Sequence, residues 1–241
     1  MLGTMAGSGQ RRRHPEDPAL LPLLPPPDPA HDAIAWLWKD AAVPAFSRSA
    51  VAVVDRHIWL AGDKVLVRPG ARPRALPPAT KVIPVVHVEI DPLHPPASLR
   101  AAAPGILDAM RAAGRASTSG WVQLDLEARP SQRADYRDLV GAIRTALPHD
   151  LKLSVTALAW WCRSAPWLDG LAADEVVPMF FRMGRDNAAL RGIVASQPAV
   201  LHPLCRAGSA GFSRQEAFPR DVTTRYQRTY WFDETAWKDI E

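Results

Sequence analysis

Between residues 81 and 195 two kinds of pattern alternate along the chain, and that alternation limits the fold more than any other feature. Residues 81–91 (KVIPVVHVEID), 120–127 (GWVQLDLE), 151–159 (LKLSVTALA) and 175–183 (EVVPMFFRM) read as strands rich in Val, Leu, Ile or Phe. Residues 97–113, 131–147 and 186–195 carry apolar side chains at helical spacing. Leu99, Ile106, Leu107 and Met110 mark the first helix, with Pro104 an expected early break. Leu139, Val140, Ile143 and Leu147 mark the second, between a capping Ser131 and a stop at Pro148. Strands joined by helices of this length make βαβ units, and those units make a parallel sheet. Further strand candidates lie at 33–38, 51–54, 58–61, 64–67, 199–204 and 229–232, while the Gly-rich stretch 208–211 reads as a turn. A total of about eight strands points to a (β/α)8 barrel of TIM type, short or incomplete for that fold. A doubly wound open sheet is the alternative, but no Gly-rich phosphate loop follows any strand.

The 241 residues suffice for one domain and a tail. Residues 1–30, rich in Gly, Ser, Arg and Pro, read as a disordered tail, and 31–241 as a single barrel domain. The net charge of +4 comes from scattered arginines without interleaved aromatics, so no nucleic-acid partner is expected. No apolar run reaches membrane-spanning length. The segment ALLPLL after Arg11–Arg13 is too short and too Pro-interrupted for a signal peptide. The cytoplasm is the default location, with the cell envelope or secretion following if the true start lies elsewhere. Cys162 and Cys205 belong to no CxxC motif or Cys/His ligand set. They are either a bridge or two buried thiols, depending on compartment. Neither a cofactor nor a metal is expected, and the oligomeric state is open.

Strand alternation gives residues 120–127 two unlike faces. Val122, Leu124 and Leu126 share one; Gln123, Asp125 and Glu127 share the other. The strand at 81–91 repeats the division, with Val86, Val88 and Ile90 opposite His87, Glu89 and Asp91. Aliphatic faces suit a helical layer, and polar faces suit a barrel interior. Two carboxylates two residues apart on a strand have Cα atoms ~6.5–7 Å apart, close enough for one to hold a proton while the other stays charged. Active sites of such barrels form at the C-terminal strand ends. Those ends gather Glu89, Asp91, Asp125, Glu127, Arg129, Thr156, Trp160 and Arg182. An acidic cup with Trp and guanidinium walls suits a sugar chain, because carboxylates bond hydroxyls and indoles cover pyranose C–H faces. The structural alternative for Asp125 is an ion pair with Arg129 or Arg182. For His87 it is a satisfied core histidine.

The blocks VQLDLEA with SQRADYRDLV, LSVTALAWWC, and DEVVPMFFRMG, taken in that order, resemble the bacterial domain-of-unknown-function 3142 family over roughly residues 33–235. That family is in turn similar to glycoside-hydrolase-like (β/α) barrels whose fourth strand ends in an alternating acidic motif of the chitinase type. The resemblance implies a carbohydrate-active hydrolase with Glu127 as acid and Asp125 as its partner. Gln123 stands where the chitinase motif carries Asp. Gln123, His87, Glu89, Asp91, Arg129, Thr156, Trp160 and Arg182 would contact substrate. The rival readings are a glycan-binding barrel without catalysis, and a structural protein.

Overall fold

The computed structural model describes residues 32–47, 49–216 and 218–233; the tail expected at 1–30 lies outside them. The described strands are β1 (Asp32–Leu37), β2 (Ala50–Ala61), β3 (Lys64–Pro69), β4 (Lys81–Ile90), β5 (Trp121–Leu126), β6 (Lys152–Leu158), β7 (Glu175–Met179), β8 (Ser209–Ser213) and β9 (Arg228–Phe232). All but β3 run parallel, each beside its predecessor in the ring, and β1 closes the barrel by pairing with both β2 and β9. The fold is therefore the (β/α)8 barrel that the alternation predicts. β3 is an addition to it, the antiparallel partner of the second half of β2.

The covering helices are α1 (Ala103–Ala116), α2 (Arg133–Ala146), α3 (Ala165–Leu168), α4 (Asn187–Ser196) and α5 (Arg220–Thr223). Pro104 sits in the first turn of α1, where its missing N–H costs nothing, so it starts the helix instead of breaking it. Ile106, Ala109, Met110 and Ala113 of α1, and Tyr136, Leu139, Val140 and Ile143 of α2, are buried stripes. They pack on Val122, Leu124 and Leu126, the aliphatic face of β5, within one large outer core. Each fully buried Leu, Ile or Val contributes about 1.5–3 kcal/mol. On β1 and the first half of β2, loop residues Ala41, Val43, Phe46 and Ala71 pack on Ala35, Leu37, Val51 and Val53.

The barrel interior is a separate core of Ile34, Trp36, Trp38, Ala52, Val54, Ile83, Val85, Val177, Met179, Phe181, Tyr230 and Phe232. Two local irregularities shape it. The pairing of β2 with β4 shifts register between Val54 and Arg56, a bulge at Asp55. The extra residue lets Val54 and His57 face inward together, and the end of β3 is tied to it through Gly70 N–H to Asp55 O and Ala71 N–H to Val54 O. A Cβ on Gly70 would meet Val54 O at 1.8 Å, so only glycine fits. The second irregularity is Gly211. Its missing side chain admits the Phe232 ring, which a Cβ would meet at 3.1 Å. Residues 208–211 thus do not make the expected turn: Ser209–Ser213 is β8, its glycine set by an aromatic neighbour inside the barrel. The strand expected at 199–204 is likewise absent. Pro198 and Pro203 open two short 3-10 turns there, Pro198–Val200 and Pro203–Cys205.

Candidate active site

The C-terminal rim of the barrel brings together side chains from four neighbouring strands. Register lines up Arg68 of β3 with His57 of β2, His57 with His87 of β4, and His87 with Asp125 of β5. Asp125 is only 4% exposed. Thr156 Oγ1 donates to Asp125 Oδ1 at 2.6 Å, and His87 Nδ1 lies 2.8 Å from Oδ2. An ionised carboxylate only accepts, so His87 presents Nδ1–H to it. Both oxygens are thus held by donors, Thr156 on one side and His87 on the other. Trp38 closes the row from β1's end, edge-on to His87 at 4.4 Å and 5.7 Å from His57. Burial, reinforced by His87, lowers the pKa of His57 to about 4, which leaves it neutral at ordinary pH.

Glu127 follows β5 directly and shares the inward face of Asp125. Its surface is exposed, whereas Asp125 beneath it is buried. Even so, enough protein surrounds the carboxyl to raise its pKa by desolvation, and the charge of Asp125 raises it further. His87 and Arg182 pull the other way, and Glu89 adds to the repulsion. The result is a carboxyl inclined to keep its proton, set above a buried carboxylate that His87 and Thr156 hold.

The other expected contact residues divide. His87 and Thr156 bind Asp125 directly, and Glu89 stands exposed near Glu127. Arg182 lies beyond β7 with φ of +50°, a left-handed conformation costly for a residue with a Cβ. It is fixed by its own N–H donating to Glu216 Oε1 at 2.8 Å. Gln123 lies one layer deeper, fully buried, its Nε2 donating to Ser154 Oγ at 2.8 Å. It therefore lies below the rim and not on it. Three residues have local structural partners. Asp91 accepts the N–H groups of Leu93 and His94, organising the loop after β4. Arg129 caps the turn Pro130–Gln132 and reaches Pro92 O. Trp160 packs edge-on against Trp161 and Trp167 beside the outer core.

The chain superimposes on a GH18 chitinase from Pseudoalteromonas aurantia with a TM-score of 0.56 and 11% identity, over 84% of this chain and 94% of that one. The two share the (β/α)8 barrel fold. A Streptomyces coelicolor protein assigned as a chitinase A aligns at 12% identity over 77% of this chain and 76% of its own, with a TM-score of 0.48. No protein-family model matches the chain, and no curated protein matches it. At such identities the likeness is one of fold, and the chemistry rests on the rim residues themselves.

Sequence reasoning missed three features. His57 and Trp59 are hidden by the bulge, which breaks the inward–outward alternation of β2 into two unrelated pieces. Trp38 is the last apolar residue of a short run and reads as ordinary core. Glu175 opens β7 at the opposite mouth of the barrel, where it accepts from Ser154, Ser209, Arg228 and Tyr230. Arg228 also bonds Asp32, which ties β9 to β1 across the closure. Nothing local in the sequence signals that hub; its donors are brought together by barrel closure alone.

Proposed function

We propose that this chain is a carbohydrate-active hydrolase in which Glu127 is the general acid and Asp125 its electrostatic partner. The observation that carries this reading is the pair itself: a surface-accessible carboxyl with a raised pKa, placed two residues beyond a buried carboxylate that His87 and Thr156 hold from both sides. The raised pKa keeps a proton available for the leaving glycosidic oxygen. The fixed negative charge of Asp125 favours positive charge developing at the sugar ring. With both oxygens engaged and almost no exposed surface, Asp125 is suited to electrostatic stabilisation rather than to direct attack on the sugar. The fold likeness to a chitinase makes a β-linked N-acetylated glycan the first substrate to try. Membership of the domain-of-unknown-function 3142 family, on the sequence blocks quoted above, belongs to the same proposal.

A second reading has its own observation. Gln123, in place of an acid, and the immobilised Asp125 also fit a barrel that binds a glycan without cleaving it. The test is turnover of chito-, cello- and xylo-oligosaccharides by the wild type and by Glu127→Gln. Hydrolysis by the wild type that falls by about 10²-fold or more in the variant supports the acid role. Binding without turnover by either protein selects the second reading.

A further inference from the structure

We infer that Trp59, on the hairpin of β2 and β3, is the platform of a sugar subsite adjoining Glu127, so that the substrate cleft runs outward along this hairpin. The inference rests on the hydrolase reading and adds to it the direction in which the glycan lies.

It begins with register. β2 and β4 stay paired as far as Leu60 and Ile90, whereas the pairing of β4 with β5 ends at Val88 and Leu126. The second half of β2 pairs with β3 through Arg56–Ala61. These three strands therefore continue past the rim as a wing attached beside the site. Alternation assigns the wing's faces. Ile58 and Leu60 are buried in the outer core, with Val65 of β3 packed against it. The other face continues the barrel interior. Its first row is Arg68, His57, His87 and Asp125. Its second row is Leu66, Trp59 and Glu89, cross-strand partners in that order. Glu89 is close enough to Glu127 for their charges to repel, so the second row ends beside the acid.

Trp59 is half-buried and belongs to none of the hydrophobic cores. Leu66 opposite it is 46% exposed. A large, half-buried indole on the same face as Asp125 and Glu127, outside the hydrophobic cores on either side of the sheet, has the placement of a binding surface. Its flat apolar face matches the C–H face of a pyranose, and Glu89, its exposed neighbour, is placed to accept from sugar hydroxyls.

The experiment compares wild type, Trp59→Ala and Trp59→Phe on chito-, cello- and xylo-oligosaccharides of increasing length, with folding checked by near-ultraviolet circular dichroism. In the wild type, affinity and kcat/KM rise with chain length as the subsite fills. Trp59→Ala is expected to flatten that rise, with a loss of about tenfold for the longest chains, and Trp59→Phe to recover most of it. Turnover with the same length dependence in folded Trp59→Ala as in wild type overturns the subsite while leaving the hydrolase reading intact. Failure of the wild type to bind or cleave any of these glycans overturns both. Self-association of the wild type in sedimentation, abolished by Trp59→Ala, would make this face a contact between copies of the chain and also overturn the subsite.

Discussion

His87 and Asp125, on adjacent parallel strands, face each other across one register position, with Nδ1 2.8 Å from Oδ2. This contact makes the candidate site more than two acids on one strand. It fixes the lower carboxylate in place beneath Glu127, whose pKa is raised first by burial and then by the charge of Asp125. A like charge nearby raises a carboxyl's pKa, and removing that charge lowers it.

Replacement of Asp125 by Asn follows from this. Burial is the larger cause of the raised pKa at Glu127 and persists in the variant; the repulsion by Asp125 disappears. Under the proposed hydrolase reading Glu127 must be protonated to act, so activity is expected to be lost as pH rises through its pKa. In Asp125→Asn that basic limb of kcat/KM is expected to move to lower pH, and kcat itself to fall by about 10²–10³-fold. A pH–rate profile on the best oligosaccharide measures both. A basic limb that stays in place or moves upward contradicts the assignment.

His57 gives a prediction that needs no substrate. Its pKa is lowered from 6.5 to about 4 in the folded chain, first by burial and then by His87. The unfolded chain therefore binds more protons between those pH values, and stability rises with pH across that window. The contribution is complete above about pH 6.5 and is lost as pH falls toward 4. His57→Asn is expected to have a flatter Tm against pH than wild type over this interval, seen in thermal melts at matched ionic strength. Parallel curves for the two proteins would show that His57 does not titrate as its surroundings imply.

Much of this was legible beforehand, and the remainder was hidden for definite reasons. The sidedness of 120–127 follows from period-two alternation alone, and Val122, Leu124 and Leu126 do face the helices. The barrel follows from helices between strands. His57 was illegible because one bulged residue at Asp55 resets the alternation, and a pattern reader then sees two strands where there is one. β8 was illegible because SAGFS carries small residues chosen by the Phe232 ring across the barrel, information that lies outside its own segment. Asp91 and Arg129 looked functional by position along a strand end, but loop N–H groups and carbonyls next to them are nearer partners. Which acids meet at the rim is a question of register, and register is settled by closure.

Glu175 carries the opposite end of the barrel. Its side chain is 8% exposed and receives Arg228, Tyr230, Ser154 and Ser209. Removing one partner of a buried charged network leaves the others unsatisfied, at a cost of about 3–5 kcal/mol. Glu175→Ala is expected to lose about that much in denaturant unfolding, while Glu175→Gln, which keeps an acceptor oxygen, loses less. Because this network sits at the mouth away from Glu127, the Glu175→Gln protein that remains folded should keep the wild-type pH profile. A shifted profile would mean that the two ends of the barrel are coupled through Gln123.

The last prediction concerns Cys162 and Cys205, which are bonded to each other with Cα atoms 5.9 Å apart and a sequence separation of 43. Cys162 lies in the turn Ala159–Arg163 after β6, and Cys205 ends the turn Pro203–Cys205 before β8. The bridge encloses α3, β7 and α4, and two proline turns follow α4 before β8. A constraint of that length removes about 4 kcal/mol of freedom from the unfolded chain in the loop-closure account. For a domain near this size, 1 kcal/mol shifts Tm by about 2–4 °C. Reduction, or the double substitution Cys162→Ser with Cys205→Ser, is therefore expected to lower Tm by roughly 10 °C. The native contacts flanking the bridge should survive, since His202 N–H still donates to Cys162 O at 2.7 Å and Trp161 still stacks on Trp167 at 4.1 Å. The loss should consequently appear as a lower midpoint with unchanged near-ultraviolet circular dichroism at 25 °C. Melting of the oxidised protein within about 1 °C of the double variant would show that the bridge constrains nothing the folded chain does not already hold.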